Sequence, residues 1–332
     1  MTEKTQNLDE TVARFLQDAS AEAFPQGARF GSAEAASYLR RQRERATRDP
    51  VVQPMAAVEE LSTESGVPVR VYRPDTGPGS RPLVVYFHGG GWVMGDLDRQ
   101  DSTCRTIAGR AQAVVVNVGY RLAPEYPYPA ALNDCCEATA WAILHAAEWG
   151  ADPNKAIVGG PSAGGNLAAA VAISRRDHGI EPPLVGQLLL WPVLDARMSS
   201  ESYAEKADGF LLTAAEMRFF WDAYVQNNED RTDPRLSPAL VCEVAGLPPA
   251  LVVTAEHDPL RDEGNAFARR LEGESLLVRH IEMPGQIHGF LTLFPSSFAA
   301  KATLDAIVDA VGALSADPSR RATGTIVCAS TQ

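Results

Sequence analysis

Seven short apolar runs, each closed by glycine, proline or a polar turn, are the feature that most restricts how this chain can fold. The first holds Val69, Val71 and Tyr72 and ends at Arg73-Pro74. The others cover 82–87, 113–118, 156–159, 185–190, 250–254 and 277–283. They are too short for helices and rich in Val, Leu and Ile, so they are expected to be buried strands. Helical stretches fall between or after them, at 130–148, 163–176, 261–271 and 298–314. Strand and helix in alternation, with strands apolar on both faces, predict a mostly parallel central sheet covered by helices on either side, an α/β fold. Residues 77–81 are expected to be a turn.

Two regions depart from this alternation. The first fifty residues are expected to be helical, over 8–23 and 33–48. Between Asp195 and Pro238 a polar loop leads into a helical patch at 214–225 that carries Phe219, Phe220, Trp221 and Tyr224. No internal repeat is present, and the polar tail from 317 to 332 is expected to be mobile.

Composition narrows the function classes. A net charge of −12 over 332 residues argues against nucleic acid and against anionic membranes, because both need basic patches. No apolar run approaches the roughly 20 residues of a membrane helix, and the polar N-terminus lacks a signal core, so a cytoplasmic protein is expected. The five cysteines, at 104, 135, 136, 242 and 328, have no CxxC spacing, so neither a metal nor a redox site is expected. Cys135 and Cys136 are adjacent on a helical stretch and diverge in direction, which disfavours a bond between them.

Chemistry concentrates at strand ends. Gly160-Pro161-Ser162-Ala163-Gly164 matches G-x-S-x-G, with an apolar strand before it and an Ala-rich helical stretch after it. In that context the sharp turn lifts a nucleophilic Ser162 hydroxyl clear of the backbone. His88-Gly89-Gly90-Gly91-Trp92 follows the strand at 82–87. Glycines there let backbone N–H groups approach a ligand, so Gly89 and Gly90, with the Ala163 amide, are candidate oxyanion donors. His88 is expected to brace this loop.

A serine nucleophile needs a base, and the base needs an orienting carboxylate. Of the six histidines, His288 lies in a loop directly after the last strand, on the sheet edge that carries Ser162. His145 and His178 belong with helices, His280 with a strand, and His257 with the acid candidates. Asp258 follows the strand at 250–254; Glu256 and Asp262 compete with it, Asp262 being better placed to start the next helix. The order Ser162, Asp258, His288 is that of α/β-hydrolases.

These motifs resemble the hormone-sensitive-lipase-like carboxylesterases, which include bacterial esterases and arylacetamide deacetylases. The resemblance rests on HGGGW at 88–92, Tyr120-Arg121-Leu122-Ala123-Pro124-Glu125 with Pro127 and Pro129, GxSAGGNLA at 160–168, Asp258-Pro259-Leu260 with Asp262, and His288-Gly289-Phe290. It implies a single α/β-hydrolase domain over 1–332 with helical cap elements at approximately 1–50 and 197–235. It implies the triad Ser162, Asp258 and His288 and the oxyanion hole Gly89, Gly90 and Ala163, with no metal and no cofactor. It treats Arg121 and Glu125 as scaffold, an ion pair at most, and it suggests a homodimer. The family usually carries an acid before the serine; here Pro161 stands, which suits a strand end and removes any bracing by that acid.

The expected activity is hydrolysis of short- to medium-chain carboxylic esters by a serine carboxylesterase, through an acyl-enzyme. The alternatives are an amidase or deacetylase of a small molecule on the same triad, and a non-catalytic small-molecule receptor on this fold. Trp92, Phe210 and Phe219 are the candidate pocket residues.

Overall fold

The computed structural model describes residues 7–18, 24–44, 53–74, 80–226 and 229–316. One sheet of eight strands organises them, in the order β1-β2-β4-β3-β5-β6-β7-β8. The strands are β1 (Ala57–Ser62), β2 (Pro68–Arg73), β3 (Arg81–Phe87), β4 (Val114–Val118), β5 (Ala151–Pro161), β6 (Gly186–Leu190), β7 (Ala250–His257) and β8 (Leu277–Ile287). β1 and β2 run antiparallel to their neighbours; β4, β3 and β5 to β8 are mutually parallel. The helices are α1 (Glu10–Asp18), α2 (Ala33–Glu44), α3 (Asp101–Ala111), α4 (Ala130–His145), α5 (Ala163–Asp177), α6 (Glu201–Glu205), α7 (Ala214–Tyr224), α8 (Arg261–Gly273), α9 (Phe290–Leu293) and α10 (Phe298–Ser315).

Period-two geometry splits the inner strands between two cores. Leu83, Val85 and Phe87 of β3 face the cluster that includes Leu167, Ala170 and Phe267 of α5 and α8. Val84 and Tyr86 face Ile107 of α3 and Ile307, Val311 and Leu314 of α10. Helices therefore cover both faces, as the apolar runs require.

The sequence reading missed β1, α3 and the short helices α6 and α9. β1 carries Glu59 and Glu60 and lies at the sheet edge, so it lacks the apolar signature of the inner strands. α3, with Asp101, Arg105 and Arg110, buries only Cys104, Ile107 and Ala108. The first expected helix ends at Asp18 and the second at Glu44; their remainders, 19–23 and 45–48, lie outside the described residues. Most of the turn at 77–81, the tail at 317–332 and Cys328 lie outside them too. No helix among the described residues is long and apolar enough to cross a membrane.

β4 lies on one side of β3 and β5 on the other, so the chain reverses its winding direction at β3. In open α/β sheets the crevice beyond the carboxyl ends at such a switch is where ligands bind. The loop after β3 holds Gly89 to Gly91, and the turn after β5 holds Ser162.

Candidate active site

Ser162 occupies a sharp turn between β5, which ends at Pro161, and α5, which starts at Ala163. Its φ of 56° and ψ of −120° lie where non-glycine residues are strained. The strain is held by anchors on both sides: the Ser162 N–H donates to the Leu190 carbonyl at 2.9 Å, and its own carbonyl accepts from Asn166 at 3.1 Å. Gly160 and Gly164 let α5 descend onto β3, because a Cβ at either would overlap the Phe87 carbonyl oxygen.

Three side chains from three strand ends converge. Ser162 Oγ lies 3.0 Å from His288 Nε2, and His288 Nδ1 lies 2.7 Å from Asp258 Oδ2. Asp258 follows β7 directly and is fully buried; its second oxygen accepts from the Leu260 N–H at 2.9 Å. With both its oxygens engaged, the carboxylate is fixed in direction and fixes the imidazole with it.

The rival carboxylates have other work. Glu256 accepts the Gly285 N–H at 2.8 Å and so holds the turn that delivers His288. Asp262, second residue of α8, accepts the Ser202 N–H at 2.8 Å and ties α6 to α8. Glu263, which sequence reading did not single out, accepts the Leu194 N–H at 2.6 Å in full burial, which pushes its carboxyl well above the usual range.

The glycine loop comes close to the nucleophile. A Cβ placed on Gly89 would lie 3.6 Å from the Ser162 Cβ and 3.4 Å from the Pro161 ring, so Pro161 is an apolar neighbour of this loop. The amides of Gly89, Gly90 and Ala163 donate to no described residue, and the Ala163 amide heads α5 at the positive end of its dipole. His88 braces the loop from beneath: its Nδ1 donates to the Gly89 carbonyl at 2.8 Å. Its ring stacks on Tyr120 at 4.0 Å, and the Tyr120 hydroxyl donates to the His88 carbonyl at 2.7 Å. Burial lowers the His88 pKa to about 4, so the ring is neutral at physiological pH and Nδ1 carries its one proton.

The expected pocket residues sit elsewhere than at an open wall. Trp92 is fully buried, stacked on Tyr224 at 4.5 Å and against Trp221 at 4.4 Å; it pins the glycine loop to α7. Phe210 stacks on His257 at 5.0 Å and clusters with Val12 and Ile287, and Phe219 packs on Phe24 and Phe220. Two other rings touch the glycine loop or the histidine. Phe220 packs on Gly91, and Trp191, directly after β6, stands edge-on to His288 at 6.4 Å. Trp191 carried a usable signal, its place at the carboxyl end of a parallel strand. An open cavity of about 360 Å³, lined by Arg43, Gly95, Asp96, Leu122, Glu125 and Tyr126, contains none of the expected site residues.

The structure also corrects the pairing of Arg121 with Glu125. Arg121 forms a bidentate bridge to Asp134 of α4, at 2.7 Å for the closer contact, and Glu125 pairs with Arg43 of α2 at 2.7 Å. No cluster of His, Cys, Asp or Glu among the described residues could hold a metal ion.

Comparison with known proteins agrees with the fold. A family model described as an alpha/beta hydrolase fold matches residues 84–292. The carboxylic ester hydrolase LipN of Mycobacterium tuberculosis is 42% identical over 252 residues, 74% of this chain and 67% of its own. The carboxylesterase NlhH of the same species is 40% identical over 270 residues, 79% of this chain and 84% of its own. The hyperthermophilic esterase of the archaeon Pyrobaculum calidifontis superimposes with a TM-score of 0.79 at 33% identity, covering 92% of this chain and 98% of that one.

Proposed function

Since the chain belongs to the α/β-hydrolase family and is a carboxylic ester hydrolase, we propose that it hydrolyses short- to medium-chain esters through Ser162, His288 and Asp258. The observation that carries this reading is the continuous pair of contacts from Ser162 Oγ to His288 Nε2 and from His288 Nδ1 to Asp258.

The chemistry follows from that line. His288 Nε2 removes the hydroxyl proton as Ser162 Oγ attacks the ester carbonyl carbon. Asp258 holds Nδ1 protonated, so Nε2 is the free acceptor, and its charge stabilises the imidazolium that forms. The carbonyl oxygen becomes negative and is received by the free amides of Gly89, Gly90 and Ala163. His288 then gives its proton to the leaving alkoxide, and an alcohol departs. Water repeats the sequence on the acyl-enzyme: His288 takes its proton, the acid is released and Ser162 is restored.

Two segments form the proposed cap, about 1–50 and 197–235, within one domain. The N-terminal segment supplies α1 and α2, and the insert supplies α6 and α7. They meet through Phe24 and Phe219 at 5.3 Å and through Val12 and Phe210. Ser162 is only 8% exposed, which favours small acyl groups.

Hydrolysis of p-nitrophenyl esters graded from acetate to palmitate tests the proposal. Activity should peak at short chains and fall by about 10,000-fold or more in Ser162→Ala. Undiminished turnover in the variant removes Ser162 from the mechanism, and a peak at palmitate removes the chain-length reading.

A further inference from the structure

Glycines have no side chains by which a fold can hold them, so Gly89 and Gly90 depend on the backbone that follows. The amides of Val93 and Met94 both donate to the Gly90 carbonyl, at 3.1 and 3.0 Å. Gly95 lies so close to the His88 ring and the Gly89 carbonyl that a Cβ there would overlap both. The segment 93–95 therefore packs on both glycines, and a shift of that segment shifts their amides.

One guanidinium holds this segment from α2. Arg43, in the last turn of that helix, donates from Nε to the Val93 carbonyl at 2.7 Å and from Nη2 to the Ala123 carbonyl at 2.8 Å. Val93 belongs to the loop after β3 and Ala123 to the loop after β4. The Ala123 amide in turn donates to the Trp92 carbonyl at 2.9 Å, so the two loops are joined directly and through Arg43. Glu125 accepts from Nη1 at 2.7 Å and from Nη2 at 2.9 Å, which sets the plane of the fork. Arg99, further along the chain from the glycine loop, donates to the Gln42 carbonyl beside Arg43. Earlier in α2 the Tyr38 hydroxyl donates to Glu216 of α7, so this helix links the insert to the glycine loop.

Arginine suits this place because its rigid planar fork offers donors in several directions at once, where lysine has a point charge on a flexible stem. The side chains of Arg43 and Glu125 are 31% and 53% exposed, and an ion pair that wet contributes little by itself. The weight of the contact therefore lies in the two carbonyls. We infer that Arg43 is a positioning residue for ester hydrolysis: it clamps the Val93 and Ala123 carbonyls and so holds the Gly89 and Gly90 amides where the oxyanion forms. This rests on ester hydrolysis at Ser162. The effect falls on the transition state, because the substrate carbonyl oxygen becomes an anion only as Ser162 Oγ bonds to carbon.

The test compares kcat, KM and inhibition by an alkyl trifluoromethyl ketone in the native protein, Arg43→Ala, Arg43→Lys and Glu125→Gln. Ser162 Oγ adds to the ketone carbon, the hydroxyl proton passes to His288 and the ketone oxygen becomes the oxyanion, so the inhibition constant reports on the amides that receive it. Arg43→Ala should lower kcat on p-nitrophenyl acetate by about 10- to 100-fold, raise the ketone inhibition constant in proportion and leave KM largely unchanged. Arg43→Lys should share the loss, and it carries the reading if Arg43→Ala does not fold. Glu125→Gln, whose side-chain oxygen still accepts from the fork, should stay near native. Native kcat in either folded Arg43 variant overturns the inference. So does a loss confined to KM, a kcat loss with the ketone constant unmoved, or an equal loss in Glu125→Gln, which would assign the effect to the ion pair. In each of these cases ester hydrolysis by the native protein, lost in Ser162→Ala, leaves the esterase reading standing. A native protein that hydrolyses no ester overturns both.

Discussion

Gly164, in the first turn of α5, lies so close to the Phe87 carbonyl oxygen that no side chain fits between them. The contact joins the helix behind the nucleophile to the end of the strand that leads into the glycine loop. Distances between Ser162, Gly89 and the Ala163 amide are thereby fixed by backbone packing rather than by side-chain choice. The site is built as one piece with the core, and four expectations follow from its contacts.

Gly164→Ala should be more damaging than an exposed glycine-to-alanine change. The added methyl group would also come within 2.8 Å of the His88 carbonyl oxygen, so relief requires α5 or the glycine loop to move. Overpacking of this kind costs about 1–3 kcal/mol. Urea unfolding should show a lower midpoint, with esterase activity falling further than stability alone explains; an unchanged midpoint would show that the contact is slack.

Asp258→Asn should lower kcat by about 1,000- to 10,000-fold, because an amide no longer fixes the Nδ1-protonated imidazole. Glu256→Gln should cost far less, since its contact is to the Gly285 amide, which a carbonyl oxygen can still accept. Equal losses in the two variants would mean that the orienting carboxylate has been assigned to the wrong residue.

His88 gives a pH dependence of stability with a definite sign. Its folded pKa, about 4, lies below the ordinary histidine value of 6.5. Between those values the unfolded chain binds a proton that the folded chain refuses, so stability is full above pH 6.5 and is lost as pH falls toward 4. Burial lowers His257 and His280 as well, with the same sign. The His88 contribution is therefore the difference in slope between the wild type and His88→Asn, measured by urea unfolding from pH 7 to pH 4. The variant should lose less stability over that range; equal slopes would contradict a buried neutral His88.

Legibility from sequence followed the physics of each signal. Inner strands announce themselves because burial on both faces leaves only apolar residues, and β3 to β7 were all found that way. β1 escaped because an edge strand is wet on one side, and its Glu59 pairs with Arg73 across the ladder. The groups expected to react sit at strand ends, where chain order and parallel geometry locate them, and Ser162, His288 and Asp258 are in contact as that geometry requires. Pairings between distant segments carried no such signal. Arg121 and Glu125 are four residues apart and of opposite charge, yet each finds a partner from another element, Asp134 and Arg43. Nothing in the sequence joins Tyr38 to Glu216, 178 positions apart. Aromatic side chains mislead most, because a ring that lines a pocket and a ring that fills a core are the same residue; Trp92 fills the core.

The central claim is that Ser162 is the nucleophile, and a fluorophosphonate tests it without any choice of substrate. Intact mass measured after labelling should show one adduct per chain in the native protein, mapped to the peptide that holds Ser162, and none in Ser162→Ala. An adduct on Ser162→Ala at the native stoichiometry, or one mapped to another residue, would contradict the account.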